Sequence, residues 1–307
     1  MPSVPVLQLA LVIFSHCLVA SAIREFDQKS FQVLEVDAQP RGGSQCTSAS
    51  KLRALLLQLG IPGEDLKNQN PHEMPGITSD GCRVTRIDFR GRELNGALPQ
   101  ELGELQELQE LDLAKTKVAG DLSAFSGSTQ LQELYLHGTA VSGNLKSLEG
   151  AKHLEKLNLE STAVSGNLKS LEGATGLRKL DLEGTAVSGD LKSLKGANHL
   201  EKLDLEGTAV SGNLNSLEQA MKLRWLDLRG TAVSGNLNSL EQALEMQRLF
   251  LSGTGVSGHL SVLLRFAMIR VVDLGGTHVH GSLSEAWRGG CPKLRSLTLS
   301  DTLVTFL

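Results

Sequence analysis

Residues 154–176 read LEKLNLESTAVSGNLKSLEGATG, and residues 177–199 follow at once with LRKLDLEGTAVSGDLKSLKGANH. The first stretch is apolar at Leu154, Leu157, Leu159, Val164, Leu168, Leu171 and Ala174. The second repeats that spacing at Leu177, Leu180, Leu182, Val187, Leu191, Leu194 and Ala197. Working outward, Leu131, Leu200, Leu223, Met246 and Ile269 keep the same step of 23 residues. Leu108 precedes Leu131 by 23, Val84 precedes Leu108 by 24, and Leu294 follows Ile269 by 25. No single helix or long strand generates such a period. It belongs to a chain that stacks one small unit on the next.

The physics of one unit follows from its letters. Leu157 and Leu159 alternate with Lys156, Asn158 and Glu160, the period of two expected of a strand with one buried face. Thr162 and Val164 then turn inward, and Gly166 lets the chain bend where a Cβ would resist. Leu168 and Leu171 anchor the returning side. One unit of 23 residues cannot bury its own leucines, but stacking makes each layer the wall of its neighbour. Burying roughly five aliphatic side chains at about 1.5–3 kcal/mol each is the scale that opposes the entropy of ordering a layer. About ten layers with strands ~4.8 Å apart span roughly 45 Å.

The spacing Leu-x-x-Leu-x-Leu resembles the leucine-rich-repeat family. The first unit, 84–107, contains GRELNGALPQELGEL, which is similar to the plant-type extracellular subclass, receptor-like or polygalacturonase-inhibitor-like. Where that family places an inward Asn after the strand, this chain has Thr116, Thr139, Thr162, Thr185, Thr208, Thr231, Thr254, Thr277 and Thr302. An Asn there serves backbone groups on adjacent turns. A hydroxyl has less hydrogen-bonding capacity, so a Thr ladder doing a reduced form of that task is expected. The resemblance implies an α/β solenoid: a curved arc with a parallel β-sheet on its concave face, which is the family's usual ligand surface.

The flanks divide the rest. Residues 1–22 are apolar from Val4 to Ile13 except at Gln8 and end in Ala20-Ser21-Ala22, which predicts a cleaved signal peptide. An uncleaved anchor is the competing reading. Ser15 and His16 interrupt the stretch, which falls short of the ~20 apolar residues of a span. Residues 23–45 have no periodicity and read as a flexible leader. Residues 46–83 read as an amino-terminal cap with one helix, Ser48 to Leu59, started by Thr47 or Ser48 and ended by Gly60. Residues 84–307 are expected to form the solenoid, with no carboxy-terminal cap visible, which implies either an edge covered by end-to-end self-association or a truncated relative of a longer receptor ectodomain. Cys46 and Cys82 can close a disulfide in an oxidising compartment. Cys291 is then expected as a small buried apolar residue.

The 307 residues carry a net charge of −4, which supplies no basic footprint for nucleic acid. No phosphate loop or nucleophile elbow occurs, and the repeat-encoded acids single out no catalytic pair. His259, His278 and His280 lack the converging set a metal needs, so no cofactor, no metal and no enzymatic activity are expected. The outward column at the strand centres reads Asp88, Asp112, Tyr135, Asn158, Asp181, Asp204, Asp227, Phe250, Asp273 and Thr298. Its aspartates read as a solvated face. The pattern breaks at Arg224, Trp225 and Arg229 and, one layer on, at Arg248 and Phe250. An exposed Trp beside Phe and Arg is the composition of a contact site. Tyr135 and His137 form a second candidate. The expectation is an extracellular recognition module for a protein or peptide, in signalling or defence. The alternatives are a secreted inhibitor of an enzyme such as a polysaccharide hydrolase and, more remotely, a structural or ice-binding surface, against which the inward Thr ladder argues.

Overall fold

The structure, a computed structural model, describes residues 47–67, 69–283 and 290–306. The signal and leader segments and Cys46 lie outside the described residues. Helix Ala49–Gln58 opens the described chain, with the Ser48 hydroxyl accepting the Lys51 N–H at 3.2 Å and Leu52, Leu55 and Leu56 buried. A four-residue helix, Gly63–Leu66, and a 3-10 turn, Pro71–Glu73, follow. Strand Ile77–Asp80 then pairs antiparallel with Arg83–Asp88. The Thr47 N–H donates to the Cys82 carbonyl at 3.1 Å, and Cys82 is disulfide-bonded.

From Arg83–Asp88 onward every pairing is parallel. Ten layers place their strands in one sheet in chain order: Arg83–Asp88, Glu110–Asp112, Glu133–Tyr135, Lys156–Asn158, Lys179–Asp181, Lys202–Asp204, Trp225–Asp227, Arg248–Phe250, Val271–Asp273 and Ser296–Thr298. Registers advance by one repeat without slippage, as in Leu180↔Leu203↔Leu226↔Leu249. The architecture is the expected curved leucine-rich-repeat solenoid. Leu157, Leu180 and Leu203 are at most 1% exposed, and the repeat leucines form one continuous aliphatic interior. Cys291 lies in it, 5% exposed, with its thiol pushed up by burial. No described helix is long and apolar enough to cross a membrane.

The return side holds a second parallel sheet that the sequence reading did not include. It has nine strands, from Ala119–Asp121 through Ala163–Asn167 and Ala186–Asp190 to Leu303–Phe306. Its register pairs Ala186 with Ser165 and Ala209 with Ser188, so partners lie 21 residues apart and each strand is offset from its neighbour. The Leu168–Leu171 type of segment is a 3-10 turn whose first N–H groups are capped by the preceding Asn or Asp, as when Asn167 Oδ1 accepts the Lys169 N–H at 2.9 Å.

The Thr ladder works differently from the expectation. Thr162, Thr185, Thr208 and Thr231 are buried, but each hydroxyl donates to the carbonyl three residues earlier in its own turn, at 2.6–2.7 Å. A hydroxyl is too short to serve the next layer. The bridging falls to serines of the second sheet: Ser165, Ser188 and Ser211 donate to Gly143, Gly166 and Gly189 carbonyls one layer back, at 3.3–3.4 Å.

Candidate ligand-binding face

Three outward positions per strand build the concave face, and the parallel register stacks them into columns. Lys202, Trp225 and Arg248 are successive partners in one column, and Asp204, Asp227 and Phe250 in the next. The register thus places the indole and phenyl rings on neighbouring strands, with centroids 6.1 Å apart and planes tilted by 50°. Lys202 Nζ sits 4.8 Å from the Trp225 ring centre and the Arg248 guanidinium 4.5 Å, one cation from each neighbouring layer. The Arg229 guanidinium lies 4.8 Å from the Phe250 ring. Such contacts are worth about 0.5–1 kcal/mol when exposed and ~2 when desolvated.

Trp225, Phe250, Arg229 and Arg248 are therefore brought together as expected, with two differences. Trp225 is half-buried rather than exposed, because the long Lys202 and Arg248 side chains lie along it, and its Nε1 is covered with no acceptor among the described residues. Arg224 stands apart: its Nε donates to Glu245 Oε2 at 2.7 Å on the flank. Lys202 was missed. Its repeat position reads as one more surface lysine, and only the register shows that its layer adjoins Trp225. Its ammonium also donates to Asp181 Oδ2 at 2.6 Å and lies 3.6 Å from Asp204 Oδ2.

The aspartate column is not a solvated face in layers two, five, six and seven. Asp112, Asp181, Asp204 and Asp227 are 1–7% exposed. Each turns an oxygen back to the N–H two residues on: Asp112 accepts from Ala114 at 2.9 Å and Asp227 from Arg229 at 3.1 Å. The column is a series of Asx turns that end each strand. Burial, and then the charges of Asp181 and Asp227 beside it, push the Asp204 carboxyl up to about 7. Burial also raises Glu183, with Glu160 and Glu206 adding to the effect. Glu160, Asp181 and Glu183 bring carboxylate oxygens within 4.8 Å of one another, an acidic cluster at the middle of the face.

The second candidate lies four layers away, roughly 19 Å at ~4.8 Å per strand, and does not join the first. The Tyr135 hydroxyl donates to Glu133 Oε2 at 2.7 Å, and burial with that carboxylate raises its ionisation well above the ordinary phenol value. His137 is half-buried, and burial followed by nearby Arg90 lowers its basicity. Its Nδ1 is covered and has no partner among the described residues.

No protein family and no curated protein matches the chain. Solved structures do. The Arabidopsis receptor kinase HAESA, in complex with the peptide hormone IDA and the co-receptor SERK1, is 20% identical with a TM-score of 0.67, covering 84% of this chain and 50% of that one. The plant peptide hormone receptor RGFR1 in complex with RGF2 is 21% identical with a TM-score of 0.60, covering 69% and 39%. A plant ice-binding protein is 18% identical with a TM-score of 0.58, covering 76% and 88%. At these identities the likeness establishes the fold, and the chain spans half or less of either receptor structure.

Proposed function

We propose that this chain is an extracellular recognition module that binds a protein or peptide through its concave face, centred on Trp225 and Phe250. The observation that carries the reading is the aromatic pair flanked by Lys202, Arg229 and Arg248 on an otherwise charged sheet. Trp and Arg lead the residue types that dominate binding energy. Rings prepositioned by cation contacts give up little freedom on binding. The two peptide-hormone receptor complexes with this fold support the same use of it. Export by the residue 1–22 segment and a Cys46–Cys82 disulfide belong to this reading, with Cys82 already disulfide-bonded. The reading calls on no cofactor, metal or catalytic group. Inhibition of a secreted enzyme would use the same face.

The test is affinity capture from extracellular fluid with wild-type protein and with Trp225→Ala and Phe250→Ala. A partner held by wild type and lost by both variants supports the reading. One held equally by all three refutes it.

A regular structural or ice-facing surface is a second reading, carried by a separate observation. The threonines that would build it are buried. The second sheet nonetheless exposes a regular series of Ala140, Ala163, Ala186, Ala209 and Ala232, the last four each paired with a serine of the preceding strand, as Ala186 with Ser165. Thermal hysteresis of the purified protein tests it. A freezing gap abolished by Ala186→Lys supports this reading, and none excludes it.

A further inference from the structure

The ion pairs of the concave sheet stop at layer seven. Arg86 pairs with Asp88 and Glu110, Arg90 with Asp112, Arg178 with Glu201, Arg224 with Glu245, and Arg229 with Asp227 and Glu206. Arg248 follows in layer eight, in the column of Trp225, and Arg270 and Arg295 follow in layers nine and ten, in the adjoining column of Arg224 and Gln247. All three are exposed, and none has a carboxylate partner among the described residues. Among the described residues, the acid at the centre of those strands is already committed: Asp273 Oδ2 accepts the Ser252 hydroxyl at 2.9 Å, and Oδ1 accepts the Gly275 N–H at 3.1 Å. The acidic column also ends there. Ser252, Gly275 and Ser300 stand where layers four to six carry Glu160, Glu183 and Glu206. The concave face therefore changes sign along its length, from carboxylate-rich in the middle to cationic beyond Phe250.

We propose that layers eight to ten take an acidic, extended segment of a protein partner, with its Asp or Glu side chains on Arg248, Arg270 and Arg295 and an apolar side chain against Phe250. The proposal rests on the concave-face reading and names its partner chemistry. Guanidinium groups offer carboxylates a planar, two-pronged donor, and unpaired ones exact no loss of an existing ion pair on binding. Two layer steps span about 10 Å, which an extended chain covers in about three residues at ~3.3 Å each. A segment with acids close together in sequence can therefore reach all three arginines while running along the solenoid. The carboxylate-rich middle of the face repels the same segment, which fixes where it docks.

The probe is an eight-residue peptide with Phe at its second position, Glu at its fourth, sixth and eighth and Ser elsewhere, so that apolar and acidic side chains share one face of the extended chain. It is fluorescently labelled and carboxy-terminally amidated so that only side chains supply carboxylates. A peptide with Gln for every Glu is its control. Anisotropy titrations use the full chain, its Arg248→Gln/Arg270→Gln/Arg295→Gln variant and Phe250→Ala, with thermal melts confirming that the variants fold. The expected result is at least tenfold tighter binding of the Glu peptide than of the Gln peptide. Raising salt from 50 to 500 mM should weaken it severalfold, the triple variant should abolish the preference, and Phe250→Ala should weaken both peptides. Equal binding of the two peptides, or an undiminished preference in the triple variant, overturns the inference. If both peptides bind alike yet lose affinity on Phe250→Ala, the concave-face reading stands and only the acidic partner falls. If the Glu peptide does not bind wild type at all, this inference fails, while the capture experiment still judges the broader one.

Discussion

Asp204 carries the most perturbed carboxyl of the concave face, and its titration gives a test at the scale of one residue. Its pKa is about 7 in the folded protein, against about 3.9 for an unfolded Asp. The folded protein thus holds a proton that the unfolded chain has released. The stability this supplies is complete below about pH 4 and is lost as pH rises through about 7. Asn158 fills the same column and caps the same turn with its amide oxygen, accepting the Glu160 N–H at 2.9 Å, so Asp204→Asn keeps the strand end. The Asn variant should lose less stability than wild type between pH 5 and pH 8 and match or exceed it at pH 8, as read by urea unfolding. A wild type that instead gains on the variant over that interval would contradict the assignment. Trp225 gives a second test. Removing a half-buried ring held by Lys202 and Arg248 should lower stability by about 1–2 kcal/mol. A loss above ~4 kcal/mol would mean that the ring is core rather than surface.

At the scale of the element, the two positive-φ glycines of the 177–199 repeat have different jobs. Gly189 has φ +115°, and a Cβ there would lie 2.6 Å from the Asn167 side-chain oxygen that caps the previous layer. Gly184 has φ +66° with open space around it. Ser161 and Lys115 already occupy the corresponding position in other layers at φ 55° and 59°. Gly189→Ala should therefore destabilise by roughly 3 kcal/mol, through a backbone term of about 1–2 kcal/mol plus the clash. Gly184→Ala should cost only the backbone term, and equal losses in urea titrations of the two would show the clash to be relieved. The strand, the inward leucines and the joining of Trp225 to Phe250 were legible in the sequence because each follows from a period. The second sheet was not. AVSGN alternates too weakly to declare a strand, and Gly at φ +113° in Gly166 reads as a bend until its neighbours supply the other strands. The Asp column failed for a related reason. Leu-Asp-Leu looks the same whether the carboxylate faces water or folds back onto the N–H two residues later, and only the turn geometry decides.

At the scale of the molecule, the layers share one interior, so no unit is stable alone. Leu203 lies in layer six, fully buried between Leu180 and Leu226. Leu203→Ala should cost about 2–5 kcal/mol, and because stability accrues between neighbours it should weaken hydrogen-exchange protection in layers five and seven as well as its own. Protection lost in layer six alone would mean that the layers are independent. The stacking also produces the functional surface: residues 23 apart in sequence become columns, so one break in the repeat at Trp225 and another at Phe250 make a contiguous aromatic patch. The most direct measurement of that claim is photo-crosslinking in extracellular fluid from two positions. A photoreactive residue replaces Arg224, on the concave flank, or Ala186, exposed on the second sheet. The patch as binding site requires adducts from position 224 that vanish when Phe250→Ala is added, and few from position 186. Adducts from position 186 alone, or adducts at 224 indifferent to Phe250→Ala, would contradict it.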